Sequence, residues 1–364
     1  YFTYTQNSSL DTSSLHGLLK RSNKSPYTIE SGRLEDYNTA LHLDNKLTVQ
    51  YLKSKSLNRK NIKHVSDTVF DIERDETGTV KKIICSDHII EGDIFIDCTG
   101  YKRIFSSKSD WVSFKDNLPM NSVTTFTRKH RESMVTKADK LKLGWCWQIP
   151  TQERLGCGYV SCDEWGDDII DEIKFNYSDA EIVKSFKFES GKLKKSWNHN
   201  VISLGLAYHF LEPLQATNIH LTLVQLEMLC QKCIRDTKDR TLNPNVISYY
   251  NKHIDNLIED FKNFINIHYS CDTRVKMTDY NNEIIDLLKV RGLFHEDILQ
   301  AYGSCGIQLW GHTLLGLNHL TKQDCHTFLS EMNSYDEVKE VSSELEDTFT
   351  NTPFLTYKEL IDIL

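Results

Sequence analysis

The sequence predicts an α/β fold with a helical C-terminal region, and three observations predict it. Between residues 43 and 100 a helical apolar pattern gives way to short alternating segments, then to an apolar strand ending in Thr99-Gly100. Beyond residue 236 apolar residues recur at helical spacing, in Val246 to Phe264 and again in Ile284 to Leu293. The composition, 39% hydrophobic over 364 residues, supplies side chains for one large core or two ordinary ones.

Taken in order, residues 8–32 are rich in Ser, Asn, Lys and Gly and read as loop with a short helix. Leu43 to Leu57 places Leu47, Tyr51 and Leu52 on one helical face, with Asp44 as N-cap. Ile62 to Val65 reads as a strand. Val69 to Ile72, Val80 to Cys85 and His88 to Ile90 read as a meander, with a turn at Asp75-Glu76-Thr77-Gly78. Asp93 to Gly100 then runs an apolar strand into a glycine turn. A helix, a meander and a buried strand ending in Thr-Gly form the second half of a flavin- or dinucleotide-binding module. A residue without Cβ at that strand end lets backbone approach a cofactor, although a plain turn uses the same residues. The first half would be a strand, a Gly-rich turn and a helix. No G-x-G-x-x-G occurs in this chain, so either it is no dinucleotide binder or that unit lies upstream of Tyr1.

Two further segments carry chemistry. Gly144 to Pro150, followed by Arg154 to Val160, reads as strand, turn, strand, with Trp145 and Trp147 on one face. Two indoles on one face serve either as core or as the wall of an aromatic passage. Leu204 to His220 leads into a helix whose apolar pattern is Ile219, Thr222, Leu223, Leu226 and Leu229, with Thr217 as N-cap. A helix start with unpaired N–H groups is an anion site as well as an ordinary cap.

Charge and cysteine content narrow the partners. With 43 basic and 51 acidic residues the net charge is −8, which argues against nucleic acid. No apolar run approaches about 18 residues, so no membrane helix is expected. The ten cysteines show no disulfide framework. The one C-x-x-C pair, Cys230 and Cys233, lies in a helical pattern, where buried thiols compete with metal or redox use; no metal site is expected. Unpatterned thiols and the lack of a signal peptide at Tyr1 to Leu10 point to the cytoplasm.

These segments together resemble the flavin-dependent tryptophan halogenase family, as a divergent member. The W-x-W-x-I-P signature stands as Trp145 to Pro150, and F-L-E-P-L-E-S-T-G is matched, with differences, by Phe210 to Asn218. The D-C-[ST]-G strand end is Asp97 to Gly100. Leu118-Pro119-Met120-Asn121 and Asp260 to Tyr269 match further family segments. The likeness runs from about residue 38 to 275, and residues 276–364 resemble nothing placed.

The resemblance implies an FAD-binding flavin monooxygenase/halogenase fold: residues 1–235 as the FAD-binding module, without its N-terminal Gly-rich unit, and 236–364 as the helical C-terminal region. It implies that reduced FAD, oxygen and a halide (bromide, iodide or chloride) yield hypohalous acid. That species halogenates a small electron-rich aromatic substrate, with a separate flavin reductase as partner. Cofactor contacts fall on Thr99, Gly100, Leu206 and Ile219, and the halide on the backbone N–H groups of Thr217 and Asn218. Trp145 and Trp147 fall by the tunnel. The family's active-site glutamate falls on Gln215, which cannot accept a proton as a carboxylate does, leaving Glu212 as the segment's carboxylate. The family's catalytic lysine belongs upstream of Tyr1. Asn218 stands where the family has glycine. With Gln215 in place of a carboxylate, bromide or iodide is expected to be used better than chloride. A flavin-dependent hydroxylase and a non-catalytic flavin-fold binding protein are the alternatives.

Overall fold

The computed structural model describes residues 15–37, 42–129, 135–151, 154–234, 243–298, 303–320, 343–344 and 347–363. The strand ending in Thr-Gly is short, Phe95–Asp97, and it pairs in parallel with Val201–Ser203. Parallel pairing across more than a hundred residues of chain is what an α/β module requires, since neighbours in such a sheet are joined by long crossovers. Phe95 and Asp97 are buried while Ile96, on the opposite face, is half exposed. The meander forms as Val69–Arg74, Val80–Cys85 and Ile89–Glu91, turned at Asp75, whose carboxylate accepts the N–H groups of Thr77 and Thr79.

Ile62 to Val65, expected as a strand, has no regular structure. It finds no pairing partner, and a short apolar run becomes a strand only where a ladder meets it. The helix Asn45–Leu57 is capped by Asp44 as expected, its carboxylate accepting from Lys46 and Leu47 N–H. Its apolar face is not inside, however: Leu47, Tyr51 and Leu52 are all exposed.

A five-stranded antiparallel sheet dominates the middle of the chain. Its order is Glu181–Lys187, Ser122–Arg128, Leu155–Ser161, Gly144–Pro150, Lys137–Lys140. The W-x-W strand is therefore second from one edge, in register with Leu155–Ser161 so that Trp147 faces Gly158. Glycine is needed there, because a Cβ on Gly158 would stand 2.1 Å from the Trp147 indole. A small sheet joins Trp111–Ser113, Gly191–Leu193 and His209–Phe210, and so delivers the chain to Leu211.

The C-terminal region is helical, with Pro244–Ile267, Asp279–Leu288, Ile307–Gly316 and Tyr357–Ile363. The 24-residue helix Pro244–Ile267 buries Tyr250, Leu257, Phe261 and Phe264 at helical spacing. The largest apolar core joins these to Trp197, Leu211, Leu221 and Trp310, so it runs across residue 235. No helix among the described residues is long and apolar enough to cross a membrane.

Candidate active site

Three chain segments meet at the carboxyl end of the parallel pair. The Gly100–Lys102 turn packs on the Gly205–Ala207 turn, which packs on the helix Thr217–Glu227. Gly100 and Gly205 both take left-handed backbone, φ 65° and 55°, a region open to glycine without a Cβ clash. Gly205 N–H donates to Gln225 Oε1 at 3.1 Å, which ties its turn to the helix. Thr99 is fixed by Asp97, whose Oδ1 accepts both the Thr99 N–H and hydroxyl, while the buried Asp97 Oδ2 has no partner.

A cofactor fits this arrangement. A Cβ on Gly100 would meet nothing within 4 Å, so the strand end faces open space. Leu206, 37% exposed, and Ile219, 68% exposed, present apolar side chains on the elements that frame it. The Asp97 oxygen is a buried acceptor without a donor.

The loop from Leu211 to Asn218 prepares the helix start. Gln215 and Ala216 are consecutive left-handed residues, at φ 61° and 53°. Neither is glycine, so the turn carries strain that its surroundings must hold, as functional sites often do. Ala216, not Thr217, is the residue before the helix, and it makes no side-chain cap bond. Thr217 is instead the first helical residue, because the left-handed pair completes its turn at Ala216, one residue earlier than the N-cap pattern suggests. Its hydroxyl is buried without a partner beside N–H groups that no helix satisfies. An anion at that point answers both. The helix also turns a different face inward than the periodicity indicated: Leu221, Val224 and Gln225 are buried, and Ile219, Leu223 and Leu226 are exposed. With apolar residues on all sides, spacing does not choose the face.

Asn218 does not reach into that anion position. Its amide turns back to Leu211, accepting its N–H at 2.9 Å and donating to its carbonyl at 2.5 Å. The replacement for glycine thus braces the loop.

A cavity of about 180 Å³ lies next to the loop, lined by Met120, Trp145, Trp165, Leu214, His268 and Tyr269 among others. Trp145 is buried and donates its indole N–H to the Tyr269 hydroxyl at 3.1 Å. Trp147 is half-buried, 6.0 Å from Trp145 between ring centroids. Arg274 stacks on Trp165 at 3.7 Å while its guanidinium pairs with both Asp272 oxygens. Gln215 is exposed and sits 3.4 Å from His268 Nε2. Glu212, by contrast, is fully buried and does not line the cavity. Neither of its oxygens makes a conventional hydrogen bond. Burial pushes its carboxyl up to about 8, against a small opposing effect of the Tyr269 hydroxyl. Trp145 thus lines the cavity, Gln215 touches its His268 wall, Thr217 and Asn218 open the helix that follows the loop, Trp147 stands beside Trp145 outside the lining, and Glu212 is buried.

His268, Tyr269, Trp165 and Arg274 are cavity residues that sequence reasoning did not single out. His268 and Tyr269 stood inside the quoted Asp260 to Tyr269 segment, and a His-Tyr pair leaving the end of a long amphipathic helix was the available signal. Asn266 on that helix donates to the Asn117 carbonyl at 2.8 Å and accepts the Thr278 N–H at 2.9 Å, which pins the Leu118 turn and the next helix to it. Cys230 is exposed and Cys233 buried, on the π-helical turn Met228–Ile234, and no metal-ligand cluster occurs among the described residues.

Comparison with known proteins places this arrangement. The chain is 26% identical over 266 residues to a tryptophan 7-halogenase of Lentzea aerocolonigenes, covering 69% of this chain and 49% of the relative. It spans about half the length of the curated relatives it matches. Its fold superposes on a tryptophan 6-halogenase of Streptomyces toxytricini with TM-score 0.83 at 20% identity, over 99% of this chain and 78% of the other. A flavin-dependent halogenase from Brevundimonas sp. gives TM-score 0.76 at 21% identity, over 96% and 75%. The fold is therefore the FAD-binding α/β fold of flavin-dependent halogenases. The sequence likeness extends a little beyond residue 275, since the family match runs to residue 288. The model of the family described as tryptophan halogenase matches residues 3–288, and the chain belongs to that family.

Proposed function

We propose that the protein is an FAD-dependent halogenase acting on a small electron-rich aromatic. One observation carries the reading: a cavity walled by Trp145, Leu214 and Tyr269 borders the loop that leads into a helix start, where the Thr217 hydroxyl is buried without a partner and first-turn N–H groups are open to an anion. Bound reduced FAD, with oxygen, supplies the oxidising equivalents that turn halide into hypohalous acid. The residues of this chain do the rest. Thr99, Gly100, Leu206 and Ile219 hold the cofactor on one side of the 211–218 loop. Thr217 and Asn218 N–H groups hold the halide, and the indoles of Trp145 and Trp147 separate the flavin side from the substrate side. Residues 1–235 make up the flavin module in this reading, and residues 236–364 the helical C-terminal region. A separate flavin reductase is the partner, and the unpatterned cysteines fit a cytoplasmic setting.

Bromide or iodide serves better than chloride in this reading. Gln215 replaces a carboxylate, and the larger halides are more easily oxidised. The test is a competition assay with the full-length protein, a flavin reductase, an activated phenol and equimolar halides. Halogenated phenol, with bromide or iodide predominant, is the expected result. Hydroxylated product independent of halide would instead make the protein a monooxygenase, and flavin binding without turnover a binding protein. Predominant chlorination would overturn the halide preference alone.

A further inference from the structure

We infer that His268 is the proton acceptor of the aromatic substitution, the role that a carboxylate at position 215 would otherwise fill. The inference rests on the halogenase reading and names a residue for one of its steps. His268 lies immediately beyond the helix Pro244–Ile267 and lines the cavity. Its Nδ1 is 2.8 Å from the Phe264 carbonyl oxygen. A carbonyl only accepts, so Nδ1 carries the hydrogen and Nε2 carries the lone pair. That Nε2 faces the Gln215 side-chain amide at 3.4 Å, a long contact that a substrate can displace. The position opened by the loss of the carboxylate is thus next to a basic nitrogen already held in the right tautomer.

The alternatives on the page are weaker. Gln215 has no basic atom, Glu212 is sealed from the cavity, and Asp272 is engaged on both oxygens by Arg274. Asp139 accepts from Gln148 and from the Tyr177 hydroxyl. Burial lowers His268 below the ordinary histidine value of 6.5, which leaves its ring neutral, with Nε2 free to accept a proton, at neutral pH.

The step balances as follows. The aromatic π pair attacks the halogen of hypohalous acid, the carbon–halogen bond forms, and the halogen–oxygen bond breaks, its hydroxide leaving as water with one proton taken from solvent. The C–H bond at the same carbon then breaks, its pair returns to the ring, and the proton passes to His268 Nε2. The imidazolium releases that proton to solvent.

The experiment uses full-length protein with FAD, a flavin reductase, bromide, and phenol in ordinary and ring-deuterated forms. Wild-type turnover is read first; no halogenated phenol overturns the halogenase reading itself. With turnover present, His268→Asn is expected to lower kcat by about 100-fold, the usual scale of general-base assistance, and to bring out a ring-deuterium isotope effect as proton loss becomes limiting. Adding Gln215→Glu to His268→Asn is expected to restore rate and abolish the isotope effect. A variant as fast as wild type with no isotope effect overturns the inference. A second measurement needs no variant. The titratable groups that line the cavity with His268 are Tyr269, Asp139, Lys140, Cys271, Asp272 and Arg274, and Glu212 is buried against the Tyr269 hydroxyl outside that lining. In wild type the isotope effect is expected to grow as the medium is acidified and His268, held below the ordinary histidine value by burial, takes up a proton. An isotope effect that does not change with pH overturns the inference even if His268→Asn fails to fold.

Discussion

Asn218 braces the strained loop by pairing its amide with both the N–H and the C=O of Leu211, much as a strand neighbour would. Replacing it with glycine leaves both backbone groups unpaired beside a fully buried side chain. Asn218→Gly is expected to cost about 1–3 kcal/mol in urea unfolding, although glycine is the family residue there. An unchanged midpoint would mean that water replaces the clamp. Glu212 offers a test of a different kind. Its carboxyl titrates near 8 when folded and 4.5 ordinarily. The folded chain therefore keeps that proton longer than the unfolded chain. The stability it contributes is complete below 4.5 and is lost as pH rises through about 8. Between pH 5 and pH 8 the loss is about 3 kcal/mol, and Glu212→Gln is expected to remove it. Burial of His209 pushes its ring down to about 3, which acts in the opposite sense as pH falls below 6.5. It acts in both proteins, so the comparison between them isolates Glu212. Parallel pH profiles for the two proteins would show that its carboxyl is not held protonated. The Phe210 to Asn218 motif was visible in the chain; the left-handed pair and the Leu211 clamp were not, because both depend on where the preceding strand sets Leu211.

The strand pair that carries the tryptophans is held in register by side-chain volume. Trp147 lies over Gly158 in the facing strand, with no room for a Cβ. Gly158→Ala is expected to displace the indole and to cost about 1–3 kcal/mol of overpacking, read by thermal unfolding. A shift in tryptophan fluorescence should accompany it; unchanged stability and spectrum would mean that Trp147 is free to turn aside. Period-2 alternation identified this strand and its partner from sequence alone, since alternation reports one face against another. It could not say which face meets a cavity. The helix Thr217–Glu227 shows the same limit in sharper form. Its existence was legible, but its first residue and its buried face were not, the face because Ile219, Leu223 and Leu226 form as good a stripe as Leu221, Val224 and Met228.

Across the molecule, some of the exposed apolar side chains stand on the elements proposed to meet the cofactor. Ile96, Leu206, Ile219, Leu223 and Leu226 all belong to elements around the parallel pair or its helix, and all are exposed. Surface positions tolerate substitution within about 0.5 kcal/mol, so Leu206→Asp and Ile219→Asp are expected to leave unfolding nearly unchanged. Flavin titration should weaken in both if these residues meet the cofactor. Retained affinity in both would move the flavin site elsewhere.

By itself the sequence determined the class of the fold, the order of its main elements and the family, because those follow from periodicity and from short motifs whose residues are neighbours in the chain. The Thr-Gly strand end, the W-x-W strand and the Glu-Pro-Leu loop were all legible in this way. The tertiary structure alone decided the site. Trp145 meets Tyr269 across 124 residues, and Gln215 meets His268 across 53. Contacts at such separations are set by how the five-stranded sheet and the long helix Pro244–Ile267 pack on one core. No local pattern encodes that packing, so the cavity and its basic nitrogen emerge only once the chain is folded.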